Sequence, residues 1–501
     1  MIESALPLSI RKGKKLIIDK LQTKELNKKP QKRYEKGIFS VTLVHDVGAD
    51  RRWDLLLEEI KKAIFLKRGV IFLEPELFYI TRTAKWLKEK LNEDVTILHS
   101  KQSEKKELTQ WTKIREGRIN IVVGSRSAIF APFKNLGLII INEEDSQLYK
   151  QEQSPFYHAR EIAILRAKQQ KANLILVSQT PSLESYHSSL IGKYKFVNLK
   201  DRKHSASQVE IVDMNQEALR FKRGKAVLSP QLENNIQNTL EDSGRVILFI
   251  NRLGFATSIR CKNCGYSLKC NRCNSGLIYH YKRKMLVCRF CNYQIQPLEI
   301  CPQCKSAYVR YSGAGTEKLE SEVNRLFPQA KINRWDSDVG IQSCDFDILI
   351  STQILLKGYI NCDLLGVLQI DSSLNRVDFR SSEKVFSLLF RLSKLVKEKM
   401  IIQTRNPQHN CIEAIRKSDP FLFYRKELKL RKELGFPPFR HFIQIQLRGR
   451  SEEKVKNLAF SLYKKMKNTN NKNINVLEPF PASPSRLRGN YRWNILLKGK
   501  S

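Results

Sequence analysis

The stretch Cys261-Lys-Asn-Cys-Gly-Tyr-Ser-Leu-Lys-Cys-Asn-Arg-Cys273 holds two CxxC pairs, Cys261/Cys264 and Cys270/Cys273, and two more follow at Cys288/Cys291 and Cys301/Cys304. The two residues inside each pair allow both sulfurs to bind one tetrahedral ion, so the pairs supply the ligands of two all-thiolate zinc sites. The alternative is a set of coincidental or disulfide-bonded cysteines, which repetition of one spacing in a chain without secretory features disfavours. We therefore predict two structural Zn²⁺ ions, because four thiolates leave no position for a reacting water.

The charge of the chain is strongly one-sided. Lys and Arg number 89 against 50 Asp and Glu, which gives a formal net charge of +39. Such an excess is typical of proteins that bind a polyanion, most often nucleic acid. A lysine-rich composition without a binding role is the alternative, and charge alone supports contact with phosphates rather than reading of a base sequence.

The sequence contains no membrane or secretion signal that we can identify. No apolar run approaches the roughly 20 residues that cross a bilayer, and the N-terminus lacks an apolar signal segment. We therefore predict a soluble, cytoplasmic protein without membrane contact. Residues 1–37 are basic and poor in apolar periodicity, with the densest run of Lys and Arg from Arg11 to Lys36, and are predicted to form a basic arm.

Short apolar runs alternate with longer amphipathic segments in the first part of the chain. The runs are Val41–Val44, Val70–Leu73, Val95–Leu98, Ile119–Val123, Leu136–Ile141 and Leu174–Val177. Buried parallel strands have this pattern, and the segments between them, such as Ile80–Leu91, suit crossover helices. The series predicts one doubly wound α/β domain.

A second strand series follows a polar connection at about residues 200–228, and the cysteine-rich segment interrupts it. Its runs are Val246–Ile250, Ile348–Ile350 and Val367–Ile370. After about residue 424 the pattern changes to a predicted helix, Arg425–Leu434, and two predicted strands, Phe442–Leu447 and Trp493–Leu497. The helix is predicted to end at Gly435-Phe-Pro-Pro438, because proline cannot continue it. This tail therefore predicts a small α+β domain.

Motifs distributed along the chain carry a resemblance to a known family. They are Gly124-Ser-Arg-Ser-Ala-Ile-Phe-Ala-Pro-Phe133, Tyr149-Lys-Gln-Glu152, Phe156-Tyr-His-Ala-Arg160, Thr180-Pro-Ser-Leu-Glu184, Asn251-Arg252 with Gly254, Gly313-Ala-Gly-Thr-Glu317, Thr352-Gln353, Lys357-Gly358, Asp378-Phe-Arg380, Pro437-Pro438 and Arg486-Leu-Arg-Gly-Asn-Tyr-Arg492. Together they resemble the PriA (primosomal protein N′) family of superfamily 2 replication-restart helicases, over about residues 38–501. The resemblance implies an α/β fold: two RecA-like helicase lobes, a binuclear zinc-binding insertion in the second lobe and a small α+β C-terminal domain.

The resemblance also divides the chain and pairs its cysteines. It implies a basic arm at 1–37, lobe 1 at 38–200, a linker and the start of lobe 2 at 201–257, the zinc-binding module at 258–306, the rest of lobe 2 at 307–424 and the C-terminal domain at 425–501. One zinc site takes Cys261, Cys264, Cys301 and Cys304, and a second site nested inside it takes Cys270, Cys273, Cys288 and Cys291. The family's DNA-binding domains ahead of lobe 1 are expected to be missing, since about 37 residues precede it.

The sequence departs from the family at the phosphate-binding loop. The family's G-x-T-G-S-G-K-T aligns with Asp46-Val-Gly-Ala-Asp-Arg-Arg-Trp53. Asp46 stands at a glycine, Arg52 at the lysine, and Trp53 at the threonine that binds magnesium. A phosphate cradle needs small glycines whose N–H groups wrap the phosphates, and Asp46 and Asp50 add charge that repels a triphosphate.

Two further parts of the ATPase machinery are altered. The Walker B sequence D-E-E-H reads Asn142-Glu-Glu-Asp145, so Asn142 lacks the carboxylate that holds magnesium, although Glu143 keeps the water-activating position. The two arginines of motif VI correspond to Leu395 and Glu398. Loss of one such arginine lowers turnover by a factor of about 10³–10⁵. We therefore expect neither ATP nor Mg²⁺ as a cofactor, no catalytic residues and no useful ATP hydrolysis.

The segment after the Walker B sequence supplies candidate DNA contacts. In the family this loop senses single-stranded DNA, and the resemblance implies that role for Tyr149, Lys150, Tyr157, His158 and Arg160. Aromatic rings stack on bases, and cationic side chains bind phosphates. The alternative is an aromatic loop that packs inside the lobe for stability.

These features predict a monomeric, PriA-like primosomal protein without helicase activity. It would bind forked or single-stranded DNA and act with other replication or primosome proteins in primosome assembly and replication restart. An active ATP-dependent 3′–5′ DNA helicase with a divergent nucleotide site is the alternative, and a poorly folding gene remnant is a third possibility. DNA-stimulated ATP turnover separates the first two, and two bound zinc ions argue against the third.

Overall fold

The protein is described here by a computed structural model. The structure describes residues 39–47, 51–199, 208–221, 227–251, 258–280, 284–288, 290–312, 315–336, 339–340, 345–358, 360–376, 378–468 and 473–500. The predicted basic arm at 1–37 lies outside these ranges, as do Gly48, Ala49 and Asp50 of the loop aligned with the phosphate cradle. The chain divides into two compact units, residues 1–204 and 205–501.

The first unit alternates strands and helices along the sequence. Its strands are β1 (Ser40–Asp46), β2 (Gly69–Leu73), β3 (Val95–Leu98), β4 (Ile121–Gly124), β5 (Leu136–Asn142), β6 (Lys150–Gln151), β7 (Tyr157–His158), β8 (Asn173–Ser178) and β9 (Lys195–Leu199). Its helices are α1 (Arg51–Phe65), α2 (Leu77–Leu91), α3 (Glu104–Arg115), α4 (Ala159–Gln170) and α5 (Leu183–Leu190), with short 3₁₀ turns at Arg126–Phe130 and Gln147–Tyr149. This order confirms the predicted alternation of strands and crossover helices.

Seven of these strands form one parallel sheet in the order β3-β4-β2-β5-β8-β1-β9. Strand β2 is buried along its whole length because both faces of the sheet are covered. Ile71 packs with Trp111 of α3 on one face, whereas Phe72 packs with Ile60 of α1 on the other. Edge strand β9 was not predicted, since its residues are half-buried or exposed and form no apolar run.

The second unit contains the remaining elements. Its strands are β10 (Gln208–Asp213), β11 (Val246–Ile250), β12 (Ser258–Cys261), β13 (Ile278–His280), β14 (Met285–Val287), β15 (Gln294–Ile295), β16 (Val309–Ser312), β17 (Ile332–Trp335), β18 (Ile348–Ser351), β19 (Cys362–Leu368), β20 (Val396–Thr404), β21 (Arg440–Gly449), β22 (Ile474–Val476), β23 (Phe480–Leu487) and β24 (Asn490–Lys500). Its helices are α6 (Met214–Phe221), α7 (Pro230–Glu241), α8 (Thr316–Leu326), α9 (Asp371–Leu374), α10 (Ser381–Ser393), α11 (Asn410–Arg416), α12 (Pro420–Leu434) and α13 (Glu452–Asn468), with a 3₁₀ turn at Gln353–Lys357.

A second parallel sheet has the order β10-β20-β19-β11-β18-β17. Two small antiparallel sheets, β12-β16 and β13-β14-β15, interrupt it in sequence between β11 and β17 and carry the cysteines. The predicted strand Val367–Ile370 was placed too late, because the strand runs from Cys362 to Leu368. Val367 and its neighbours are therefore the end of a longer buried strand.

The C-terminal region is an antiparallel sheet, and the long helix α13 packs against it. Helix α12 precedes this sheet along the chain. Helix α12 begins after Asp419, whose side chain accepts hydrogen bonds from the N–H groups of Phe421 and Leu422, and ends at Gly435 in the left-handed conformation, with φ of 61°. Beyond it, β21, β22 and β23 each pair with β24. The predicted helix end and the two predicted strands are confirmed.

Candidate functional site

The eight CxxC cysteines come together in two groups of four. Cys261, Cys264, Cys301 and Cys304 form the outer cluster, and Cys270, Cys273, Cys288 and Cys291 form the inner cluster, with the sulfur atoms of each cluster within 4.8 Å of one another. The Sγ atoms of Cys261 and Cys304 are 3.6 Å apart, as are those of Cys270 and Cys291. A disulfide bond would require about 2.05 Å, whereas four sulfurs about 2.3 Å from a tetrahedral Zn²⁺ would lie about 3.8 Å apart. The two donor sets therefore fit zinc.

The four CxxC turns share one backbone conformation. In each turn the N–H of the residue after the second cysteine donates to the carbonyl of the first cysteine, and that residue is left-handed. These residues are Gly265, Asn274, Asn292 and Lys305, with φ between 51° and 74°. Glycine and asparagine adopt this conformation readily. The shared turn directs both sulfurs of each pair to one point, which is what a metal site requires.

The inner cluster is more protected than the outer one. Cys270, Cys273 and Cys288 are buried, whereas Cys264 of the outer cluster is exposed. The N–H of Arg272 donates to Cys270 Sγ at 3.4 Å. Such hydrogen bonds stabilise a thiolate and orient it toward a metal.

The region aligned with the phosphate-binding loop contains an internal ion pair. Asp46 ends β1 and Arg52 lies in the first turn of α1, and Arg52 Nη1 is 3.3 Å from Asp46 Oδ2. The Arg52 guanidinium also lies 5.1 Å from the centre of the Trp53 ring. The residues that stand where the family has a glycine and the phosphate-binding lysine thus neutralise each other.

Trp53 fills space beside this ion pair. Its ring lies 4.7 Å from that of Trp86 and stacks at 6.2 Å on that of Phe72, and it packs against the buried core of this sheet face. A threonine hydroxyl can bind a magnesium ion, but an indole ring offers only apolar surface and one N–H donor. Trp53 is therefore a packing residue.

Strand β5 ends on an amide, Asn142, at the position aligned with the first carboxylate of the family's Walker B sequence. Asn142 Nδ2 donates to Glu74, at 3.0 and 3.2 Å from its two carboxylate oxygens, and Thr83 Oγ1 donates to Glu74 at 2.8 Å. Glu74 directly follows β2, which is the neighbour of β5 in the sheet. Burial raises the pKa of Glu74 to about 7, against the opposing hydrogen bond from Asn142. Sequence reasoning missed Glu74, although a glutamate directly after a buried apolar run was a usable signal.

A buried hydrogen-bonded network joins the Walker B segment to the segment resembling motif III. Arg160 Nη1 lies 2.7 Å from Glu144 Oε2, and Glu144 also accepts hydrogen bonds from the N–H of Ser182 at 2.6 Å and from Ser185 Oγ at 3.0 Å. Burial raises the pKa of Glu144, and the positive charge of Arg160 opposes the shift. The network ties α4, α5 and the end of β5 together.

The five candidate DNA-contact residues separate into two groups. Tyr149 is fully buried, and its hydroxyl donates to the carbonyls of Leu73 and Asn142 at 3.0 and 2.6 Å. Arg160 is 6% exposed and paired with Glu144. Both side chains pack inside lobe 1, which favours the packing alternative for them, and DNA contact by Tyr149 and Arg160 stays a prediction.

The other three candidate residues form a short hairpin. In strands β6 and β7, Lys150 pairs with His158 and Gln151 with Tyr157. Lys150 is exposed, whereas Tyr157 and His158 are half-buried, and the Tyr157 ring meets that of Phe130 edge-on at 5.3 Å. DNA contact by Lys150, Tyr157 and His158 stays a prediction.

The positions aligned with the motif VI arginines carry no cation. Leu395 connects α10 to β20, and its carbonyl accepts a hydrogen bond from the N–H of Cys362 at 3.0 Å. Glu398 is an exposed residue of β20.

In the part of the chain that the structure describes, no helix is long and apolar enough to cross a membrane.

Two parallel α/β sheets in tandem, a module with two four-cysteine clusters inside the second, and an antiparallel C-terminal domain define a helicase-like protein. The chain is 31% identical over 500 residues to the Replication restart protein PriA of Borreliella burgdorferi, covering 95% of this chain and 75% of that protein. It belongs to the PriA replication restart family.

Other comparisons agree with this assignment. The family model for the Primosomal protein N C-terminal domain matches residues 432–501. The Bacillus subtilis Replication restart protein PriA is 32% identical over 481 residues, covering 92% of this chain and 60% of that protein. The Chlamydia muridarum Replication restart protein PriA is 34% identical over 487 residues, covering 92% of this chain and 64% of that protein. The chain thus spans less than two thirds of the length of these two relatives.

Proposed function

We propose that this chain is a DNA-binding member of the PriA family that does not hydrolyse ATP. The observation that carries the proposal is the ion pair between Arg52 and Asp46, at 3.3 Å. A phosphate-binding cation has to be available to the phosphates, but Arg52 is already neutralised by a carboxylate of the same chain. A triphosphate would have to displace Asp46 and would then lie beside its negative charge.

The other contacts of this site support the same conclusion. Asn142 Nδ2 donates to Glu74, so a neutral amide stands at the end of β5 where the family has the magnesium-binding carboxylate. Trp53 packs into the core where the family has a magnesium-binding hydroxyl. Glu143 and Glu144 match the family's D-E-E-H, but a water-activating carboxylate at Glu143 has no function without bound nucleotide.

Binding to forked or single-stranded DNA is the activity we assign instead. The net charge of +39 favours phosphate contacts, and Lys150, Tyr157 and His158 are the proposed contacts on lobe 1. The two cysteine clusters would each hold a structural Zn²⁺ and fold a surface for other replication or primosome proteins. We propose a monomeric assembly platform that acts in replication restart.

The test is ATP hydrolysis and DNA binding by the zinc-loaded protein, measured on the same preparation. We expect no ATP turnover with or without forked DNA, and tighter binding to forked than to duplex DNA. Fork-stimulated turnover would instead support an active helicase with a rebuilt phosphate site. Fork binding no tighter than duplex binding would count against a role in restart.

A further inference from the structure

The second unit contains a cleft beside the inner cysteine cluster, whose Cys270 is one of its lining residues, and outside the parallel sheet. Its volume is about 520 Å³, and it lies between the cysteine-rich module and the C-terminal antiparallel sheet. The side chains that matter for its chemistry are Tyr266, Lys269, Asn274, Glu452, Arg486 and Tyr491. Sites for small ligands typically measure about 300–1,000 Å³, so the cleft has the size for one nucleotide and is too small for a duplex.

The walls of the cleft are held in place by direct hydrogen bonds. Arg486 Nη1 donates to the carbonyl of Asn271 at 3.2 Å, and the N–H of Gly489 donates to the carbonyl of Arg272 at 3.1 Å. The segment between Cys264 and Cys270, which connects the outer cluster to the inner one, contributes Tyr266, Ser267 and Lys269 to the lining. The cleft is thus already formed in the free protein, which reduces the entropy that a ligand has to overcome.

The aromatic and cationic side chains of the cleft suit a ligand that has a flat ring and a negative charge. Tyr266 and Tyr491 are lining residues, and the Arg486 guanidinium lies 4.9 Å from the centre of the Tyr491 ring. Arg486 Nε is buried, and among the described residues it has no hydrogen-bond partner. Lys269 adds a second cation. Aromatic rings bind single-stranded nucleic acid by stacking on bases, and neighbouring cations bind its phosphates.

Glu452 is the side chain of the cleft that can distinguish one base from another by hydrogen bonding. It opens helix α13 and is the only acidic side chain among the lining residues that the structure describes. A carboxylate accepts hydrogen bonds but cannot donate them, so it favours a base edge that carries an amino group. Cytosine N4 is such a donor, whereas the matching group of thymine is an acceptor oxygen that a carboxylate repels.

We propose that this cleft binds one unstacked nucleobase of single-stranded DNA and prefers cytosine to thymine. The base stacks against Tyr491, its amino group donates to Glu452, and its phosphate contacts Lys269 and Arg486. This inference rests on the proposed function, because it assigns a subsite for the DNA that the protein is proposed to bind.

The test uses the full zinc-loaded chain and fluorescence anisotropy with oligodeoxycytidine and oligodeoxythymidine of equal length. Tyr491→Ala should weaken binding by about fivefold or more, the lower end of what stacking of one base contributes. Tyr491→Phe, which keeps the ring, should bind like the wild type. Tyr308→Ala is the matched control, since Tyr308 is an exposed tyrosine of the same unit that does not line the cleft. Glu452→Gln should reduce the preference for cytosine, because the glutamine amide can donate to thymine O4 as well as accept from cytosine N4.

The outcomes separate this inference from the proposed function. If the wild type binds single strands but Tyr491→Ala binds as tightly as Tyr308→Ala, the cleft proposal is overturned and DNA binding stands. If Glu452→Gln keeps the full preference for cytosine, the assigned base reading is wrong. If the wild type binds neither oligonucleotide, both the cleft proposal and the proposed function are contradicted. Equal zinc content and equal far-ultraviolet circular dichroism are required of every variant, so that misfolding does not imitate a loss of binding.

Discussion

Replacing Glu74 by glutamine should stabilise lobe 1, and the gain should depend on pH. Glu74 is fully buried beside Asn142 and Thr83, and burial raises its pKa from an ordinary value of 4.5 to about 7. A glutamine keeps an acceptor oxygen for Asn142 Nδ2 and directs an N–H donor at Thr83 Oγ1. The substitution therefore removes the group that can ionise and keeps one of the two acceptor oxygens that Asn142 Nδ2 contacts.

The size and sign of the effect follow from proton binding. Below about pH 4.5 the carboxyl is protonated in both the folded and the unfolded chain, and its burial causes no pH-dependent loss. Between about pH 4.5 and about pH 7 the unfolded chain ionises while the folded chain keeps its proton, so the free energy of unfolding falls. The difference between 4.5 and about 7 corresponds to about 3 kcal/mol. Glu74→Gln should raise the free energy of unfolding by up to that amount near pH 8 and by little near pH 5.

The assay is urea unfolding followed by hydrogen exchange in peptides that cover Gly69–Leu73 and Leu136–Asn142, the strands on either side of the site. Glu89→Gln is the control, because Glu89 is an exposed residue of the same lobe. Equal stabilisation by Glu74→Gln near pH 5 and near pH 8, or a loss near pH 8, would refute the argument that burial of an ionisable carboxyl destabilises this site.

Three further changes test other parts of the structure. Asn142→Asp would place a second carboxyl about 3 Å from Glu74 and should lower the free energy of unfolding of lobe 1 by about 2–4 kcal/mol at neutral pH, which Glu74→Gln in the same chain should largely restore. Arg160→Met leaves Glu144 buried without its ion-pair partner, and urea unfolding should show a loss of about 3–5 kcal/mol. A competing chelator should remove zinc in two phases, the outer cluster first, because Cys264 is exposed; a colorimetric zinc indicator would follow the release.

Each of these predictions has its own control. Arg118→Met removes an exposed ion pair with Glu116 and should change stability by less than about 1 kcal/mol. A loss as large as that of Arg160→Met would show that burial does not decide the effect. For the chelator, Cys264→Ser should abolish the fast phase and Cys273→Ser the slow one. The reverse assignment would contradict the order of release.

The sequence by itself determined the metal-site chemistry and the two parallel sheets. Cysteine spacing is a local property, and the same left-handed turn follows at Gly265, Asn274, Asn292 and Lys305 without help from distant residues. Buried parallel strands can also be predicted from a short segment of sequence. Both of their faces are covered, so every residue of a strand such as Gly69–Leu73 is apolar or small. The altered phosphate loop was readable for the same reason, since its chemistry depends on the residue types of one short segment.

Only the tertiary structure decided which residues meet across the sheet and between domains. Glu74 and Asn142 are 68 residues apart and become partners because β2 and β5 are neighbours in the sheet. Tyr149 looked like a surface aromatic, but the carbonyls of Leu73 and Asn142 satisfy its hydroxyl inside the core. Arg486 reaches Asn271 over a separation of 215 residues, and their contact forms one side of the cleft. Hydrophobic periodicity reports which residues are buried, whereas partners of this kind are set by strand order and domain docking, which no local pattern encodes.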